Sequence, residues 1–398
     1  MLRGQPGRRR LTRDARGRVI DVAEDLDHPV RPGRSVSLTL DAVIQLFAER
    51  ALDQLVAEWT PEACCAVVMD PRTGDVLALA SRPTFDPNQP ADVPDAAWKN
   101  RVIADIYEPG STFKPLIVAY GLDQHVLSPD DSFNGEWGRY RMGRRLLNDH
   151  HPYGWLSLTD GLVKSSNIVM SKIGERFTNE RLHAAATLFG FGRKTGIELP
   201  GELPGILRPL DEWTSYSTGS IPMGHEIAAT PLQLITAHAA LANGGALLRP
   251  RILKVAADSD ATDLRAMTQT TVSADVAQWL VQEPMRQIVT RGTGRRAQID
   301  GYDVFGKTGT AQCLSPMGGY LHGKYISSFV CGAPVDAPRL MVLVVINQAT
   351  GSGGETFGGR IAAPVAAQIL RESLVHLRIP PNDGATNWAS RPGSARRQ

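Results

Sequence analysis

Glu108-Pro109-Gly110-Ser111-Thr112-Phe113-Lys114-Pro115 is the stretch from which the rest of the chain can be read. Pro109-Gly110 signals a turn, and the run through Leu116, Ile117, Val118 and Tyr120 predicts a largely buried helix. Ser111 then stands at or beside a helix N-terminus, where unpaired N–H groups and the helix dipole favour negative charge. Lys114, three residues on, shares its face. Pro115 falls within the first turn, where its missing N–H costs little. A hydroxyl beside an amine, at a site that stabilises anions, suits nucleophilic acyl transfer. A capped helix with a surface lysine would look the same locally. No other lysine of the chain has a serine three positions before it, so the choice rests on partners elsewhere.

Outward from that stretch the pattern alternates between helix and strand. Upstream, the arginine-rich residues 1–20 read as a solvated connector with a turn at Gly4-Gln5-Pro6-Gly7, and Arg31-Pro32-Gly33 closes the region. Residues 35–40 alternate like a short strand. Asp41 then caps a helix with Ile44, Phe47, Ala48, Ala51, Leu52 and Leu55 on one face. Two apolar runs, 66–69 and 76–80, flank Asp70-Pro71-Arg72-Thr73-Gly74-Asp75 and predict a β-hairpin buried on both faces.

Residues 81–94 are proline-rich and irregular, and helical signals dominate from 98 to 243. The clearest helix runs from 231 to 242, and another runs from 273 or 274 to about 289. Strands return at 303–312, 325–333 and 340–347, followed by a last helix over 361–377. The predicted fold class is α/β in the α+β sense: an antiparallel sheet with the terminal helices on one face and a large helical insert on the other. The expected domains are a basic connector over 1–34, a folded unit over 35–379 with a helical subdomain at about 98–245, and a disordered tail over 380–398.

Composition narrows the function classes. At 398 residues the chain can bury a large core, and a net charge of +2 gives no field suited to nucleic acid. Cys64, Cys65, Cys313 and Cys331 form neither a disulfide framework nor a metal-ligand spacing and read as small buried residues, with Cys64 and Cys65 on opposite faces of a strand. No cofactor or metal motif is read. No apolar run is long enough to span a bilayer, and the first residues do not form a signal peptide.

Two further motifs join the first. Ser165-Ser166-Asn167 precedes an apolar segment, and Lys307-Thr308-Gly309-Thr310 follows an apparent strand. Ser-x-x-Lys, Ser-x-Asn and Lys-Thr-Gly, in that order, are the set of serine β-lactamases and penicillin-binding proteins. Two decoys occur. Ser132-Phe133-Asn134 lies between turn signals, and Lys194-Thr195-Gly196 lies in an apparent loop, whereas a site that pairs with substrate backbone needs a strand edge such as 307–310.

Here the chain resembles the class B penicillin-binding proteins, the peptidoglycan D,D-transpeptidases of division and elongation. The resemblance rests on Tyr107 through Pro115, Lys164-Ser165-Ser166-Asn167, the loop from Phe189 to Gly196, Gly292-Thr293-Gly294, the segment from Gly306 to Gln312, and Gly358-Gly359 with Ala362-Ala363-Pro364. It covers nearly everything from Arg8 to Pro381. Such proteins usually begin with a cytoplasmic tail, a membrane helix and a pedestal domain. Here only the stretch from Leu2 to Val19 resembles the pedestal's last link, so a truncated or mis-started front is expected.

The resemblance implies a serine β-lactamase/penicillin-binding-protein-like fold. It implies Ser111 as nucleophile, Lys114 as its base, Ser165 as proton relay and Asn167 as a ligand of Lys114 and substrate. Lys307 with the Thr308 and Thr310 hydroxyls would bind the substrate carboxylate, the N–H groups of Ser111 and Thr310 would form an oxyanion hole, and Gly309 would let the acyl donor lie against the strand. The base role needs Lys114 lowered by roughly 3 pH units, from burial and the Lys307 charge. The implied partners are D-Ala-D-Ala stem peptides, β-lactams and a membrane glycosyltransferase, at the extracytoplasmic face of the bacterial membrane. The alternatives are a β-lactamase, which would need a water-activating glutamate such as Glu198 or Glu202, and a β-lactam sensor that acylates without turnover.

Overall fold

Helix α1 (Ala42–Trp59) begins where the carboxylate of Asp41 accepts the N–H groups of Val43 and Ile44, and it ends at Thr60 in the left-handed conformation. Such a cap contributes about 1 kcal/mol. The computed structural model describes residues 3–24, 28–33, 35–254, 268–315, 318–350 and 356–382. The expected tail from 383 onward lies outside them.

Strands β1 (Ala63–Met69) and β2 (Val76–Arg82) form the expected hairpin, with Gly74 at φ 77° in its turn. The insert follows, carrying α2 (Lys114–Asp123), α3 (Leu158–Val163), α4 (Asn167–Gly174) and α5 (Pro231–Ala242). Then come β3 (Phe305–Leu314), β4 (Tyr320–Ala333), β5 (Leu340–Asn347) and α6 (Gly358–His376). The five strands make one antiparallel sheet in the order β3-β4-β5-β1-β2. The first two strands in sequence therefore pair outward from β5, and β3 is left with a free edge.

The period of two sorts the sheet residues into two cores. Cys64, Ala66, Val68, Val342, Val344 and Ile346 pack with Ile44, Ala48 and Leu52 of α1 and with Ile361, Ala366 and Leu370 of α6. Cys65, Val67, Met69, Leu343 and Val345 face the insert and pack with Leu116, Ile117, Leu234 and Ile235. The terminal helices thus cover one face and the insert the other, as the sequence predicts. All four cysteines are buried and free.

Several expectations need correction. Residues 35–40 form no strand. Leu38 makes a single bridge to Leu253, and the segment is strapped in place by Thr39, whose N–H reaches Ile252 O and whose Oγ1 donates to Val76 O at 2.6 Å. β2 alternates buried and half-buried residues along its length, so only one of its faces is fully covered. The insert is not purely helical. It holds three small antiparallel pairs: Ser132–Asn134 with Trp155–Ser157, Arg139–Met142 with Arg145–Asn148, and Ile206–Leu207 with Ile227–Ala228. The basic front is solvated but ordered as a hairpin, Arg9–Arg13 with Val19–Glu24, whose turn is tied by Asp14 Oδ1 accepting from the N–H groups of Arg16 and Arg18. β4 also starts earlier than expected, at Tyr320.

Candidate active site

The first motif forms a short 3₁₀ turn, Gly110–Phe113, that runs directly into α2, and the Lys114 N–H bonds the Ser111 carbonyl. Pro115 sits in the first turn of α2, as the sequence requires. Gly110 has φ 55°, and a Cβ there would stand 3.0 Å from Thr310 O, so conformation and space both call for glycine. Thr112 Oγ1 donates to Pro109 O at 2.7 Å, and His238 of α5 reaches Thr112 O through Nε2 at 2.8 Å. Burial pushes the His238 imidazole down to about 4, so it is neutral near pH 7 and donates from Nε2. Ser111 is the partly exposed residue on a turn that is otherwise buried.

The second motif occupies the joint between α3 and α4. Ser166 is the N-cap of α4, and its Oγ accepts Val169 N–H at 3.0 Å. Ser165 is held at φ 57°, in the left-handed region that serine rarely adopts. Such backbone strain persists where the surroundings fix it, and it clusters at functional sites. Here its fixation has a visible source. Asp149 accepts Ser166 Oγ–H at 2.5 Å, Asn167 N–H at 2.5 Å and Ile168 N–H at 3.2 Å, which locks the start of α4.

These elements bring Lys114, Ser165, Asn167 and Lys307 into one hydrogen-bonded group. Lys114 Nζ donates to Asn167 Oδ1 at 2.8 Å, to Ser165 O at 2.7 Å and to Ser165 Oγ at 3.3 Å. Lys307 Nζ donates to Ser165 Oγ at 2.9 Å and to Thr308 O at 3.1 Å. One hydroxyl accepts from both lysines, so its own proton is left to donate elsewhere. Both amines are fully buried. Burial pushes Lys114 down to about 7, while the Asp149 charge pulls the other way. Burial also holds Lys307 well below the usual lysine range, and the neighbouring Lys114 charge adds to that. The expected lowering of Lys114 is present, but burial alone drives it: the lysine–lysine repulsion falls on Lys307 instead of Lys114, and Asp149 is the charge that opposes the shift.

The third motif lies on the edge strand β3, whose outer edge faces the Gly110–Phe113 turn. Thr308 and Thr310 share one side of the strand. Thr308 Oγ1 meets Thr293 Oγ1 at 2.7 Å, and Thr310 Oγ1 accepts Gly358 N–H at 3.2 Å. At Gly309 the missing side chain already matters within the protein itself. The space a side chain would fill is already occupied by Ser328 Oγ, by Thr112 Cγ2 at 2.9 Å and by Pro109 O at 3.2 Å. Its missing side chain therefore lets the strand close on the Gly110–Phe113 turn.

The decoy Lys194 is exposed in a loop, where the Glu202 carboxylate accepts Thr195 N–H at 2.6 Å and Gly196 N–H at 3.1 Å. Glu198 accepts Ile252 N–H at 3.0 Å and pairs with Arg249. Both glutamates are thus engaged in holding this loop. Asp149 and His238 carry no local signature in the sequence. Each acts on a motif far away along the chain, 149 on 166–168 and 238 on 112, through tertiary contact alone.

The sequence profile described as "Penicillin binding protein transpeptidase domain" matches residues 64–371. The chain is 34% identical to Stage V sporulation protein D of Bacillus subtilis, over 96% of this chain and 59% of that protein. It is 32% identical to the probable peptidoglycan D,D-transpeptidase PenA of Neisseria flavescens, over 98% of this chain and 94% of that protein. The chain therefore spans about three-fifths of the first relative and nearly all of the second. Among solved structures, penicillin-binding protein 3 of Mycobacterium tuberculosis, complexed with aztreonam, superposes with a TM-score of 0.80 at 30% identity, covering 90% of this chain and 82% of that one.

Proposed function

Because the chain belongs to the penicillin-binding protein transpeptidase domain family, we propose that it cross-links peptidoglycan stem peptides through a Ser111 acyl-enzyme that β-lactams also form. The observation that carries this reading is the shared hydroxyl: Ser165 Oγ accepts from Lys114 at 3.3 Å and from Lys307 at 2.9 Å. A proton taken by Lys114 has a path, through Ser165, toward a leaving group held near Lys307.

In the proposed reaction Ser111 Oγ attacks the carbonyl carbon between two D-alanines while Lys114 Nζ takes the hydroxyl proton. The new C–O bond forms, the C–N bond breaks, and Ser165 passes a proton to the departing D-alanine amine. The N–H groups of Ser111 and Thr310 hold the developing oxyanion, an effect worth about 3 to 4 kcal/mol per donor. Lys307, Thr308 and Thr310 hold the terminal carboxylate. An amine of a second stem peptide then attacks the ester carbonyl: a new C–N bond forms, the C–O bond to Ser111 breaks, and the proton lost by the amine returns through Lys114 to Ser111 Oγ. The lowered pKa of Lys114 supports the base role, since an amine that is neutral near pH 7 can accept a proton.

The proposed setting is the extracytoplasmic face of the bacterial membrane, beside a glycan-polymerising glycosyltransferase. Among the described residues no helix is long and apolar enough to cross a membrane. A soluble D-Ala-D-Ala stem peptide incubated with an amine acceptor tests the activity. The expected product, detected by mass, is the acceptor amide together with free D-alanine, and both should be lost in Ser111→Ala. Release of the hydrolysed acid alone, with acceptor present in excess, would contradict the reading.

A further inference from the structure

Glu108, the residue before the Pro-Gly turn, takes no part in the proposed chemistry, yet it is a carboxylate only 6% exposed beside the nucleophile segment. Three donors from two other parts of the chain reach its oxygens. His225 Nδ1 meets Oε2 at 2.8 Å, Glu226 N–H donates to Oε1 at 2.9 Å, and Tyr320 OH donates to Oε2 at 3.0 Å. A carboxylate only accepts, so His225 carries its proton on Nδ1 here. The neighbouring backbone is equally constrained. Gly110 N–H donates to Gly224 O at 3.1 Å, and Gly224, at φ 80°, lies so close to Gly110 that a Cβ there would overlap the Gly110 backbone.

The loop over 220–226 and the first residue of β4 are thus both fastened to the residue that leads into Ser111. Tyr320 is 46% exposed, and its ring packs edge-on against His225 at 6.1 Å between centroids. Burial and the Glu108 charge raise the tyrosine's pKa, so it remains a donor throughout the working pH range. The far end of the same β4 pairs with the Lys307 strand, Lys307 opposite Val330. The strand that flanks the Lys-Thr-Gly motif therefore also bonds, at its start, the segment bearing the serine.

We infer that Glu108, clamped by His225, Glu226 N–H and Tyr320, is a positioning residue that sets where Ser111 stands relative to β3. With both oxygens held by protein donors, Glu108 acts through the turn it anchors. This inference rests on the reading of Ser111 as nucleophile.

Saturation kinetics of acylation by benzylpenicillin test it, because they separate the dissociation constant of the pre-covalent complex from the first-order acylation step. Displacing a reacting group by about 1 Å can cost on the order of 100-fold. Glu108→Ala is expected to lower the acylation constant by at least about 30-fold while the dissociation constant stays within about threefold. Glu108→Gln should recover part of the loss, because its amide oxygen still accepts from Glu226 N–H. An unchanged acylation constant in Glu108→Ala overturns the inference, and so does a loss that lies wholly in the dissociation constant. If Glu108→Ala does not melt as the wild type does, Tyr320→Phe carries the test: it removes one hydroxyl from a half-exposed ring, and a fall of about fivefold supports positioning, whereas wild-type acylation refutes it. A wild-type protein that forms no adduct at Ser111 removes the nucleophile reading and this inference with it. A wild type that acylates beside indifferent variants removes only the inference.

Discussion

In the proposed reaction Lys114 takes the Ser111 proton, which requires a neutral amine, and burial pushes its pKa down to about 7. Below that pH the base is protonated and unavailable. The acylation rate constant is therefore expected to fall about tenfold per pH unit on the acid side and to level off above neutrality. Lys307 is coupled to the same hydroxyl, so the midpoint belongs to the pair. Asp149 favours the Lys114 ammonium. Asp149→Asn should therefore move the acid limb to lower pH, and stopped-flow acylation across pH checks both the limb and the direction of its shift. A charge-assisted hydrogen bond contributes about 1.5–3 kcal/mol, so Lys307→Ala should slow acylation by at least about tenfold. Lys194→Ala should leave it unchanged, since Lys194 sits exposed in a loop held by Glu202. Comparing the second-order rate constants decides which Lys-Thr-Gly is functional.

At the scale of elements, the site depends on how closely β3 approaches the Gly110–Phe113 turn. Gly309→Ala would drive a methyl group into Thr112, Pro109 and Ser328. Overpacking of this kind costs about 1–3 kcal/mol. A lower melting temperature and slower acylation are expected together, and a variant that acylates normally would show that the contact between strand and turn is not needed. This contact was illegible in the sequence, which suggested only that Gly309 makes room for substrate. A lone sequence shows that a glycine is present but not which atoms crowd it. The same limit hid the pairs within the insert, because strands of two to four residues leave no period to detect. Elements with long apolar runs or strong caps were legible. The last strand in sequence lies over 340–347, as predicted, and α5 spans the predicted 231–242. The three motifs were legible for a different reason: their residue types and order are set by chemistry. Asp149, His238 and Glu108, which hold those motifs from far along the chain, carry no such mark.

Across the whole molecule, one sheet separates two cores, and the three motifs meet where the insert's core reaches the free edge of β3. Such an arrangement serves a transpeptidase and a β-lactamase equally well until the ester has formed. The two then differ in whether a base is placed to activate water. Glu198 and Glu202 are engaged in their loop, and a tethered acceptor amine brings its own binding energy, so no activated water is needed. The most direct test is to treat wild type and Ser111→Ala with benzylpenicillin and to follow the adduct by intact mass and peptide mapping while nitrocefin turnover is recorded. One penicilloyl group is expected on the peptide containing Ser111, persisting for at least many minutes, with no adduct in Ser111→Ala and no sustained nitrocefin hydrolysis. An adduct on another peptide, or turnover at about 1 per second or faster, would contradict the proposed function.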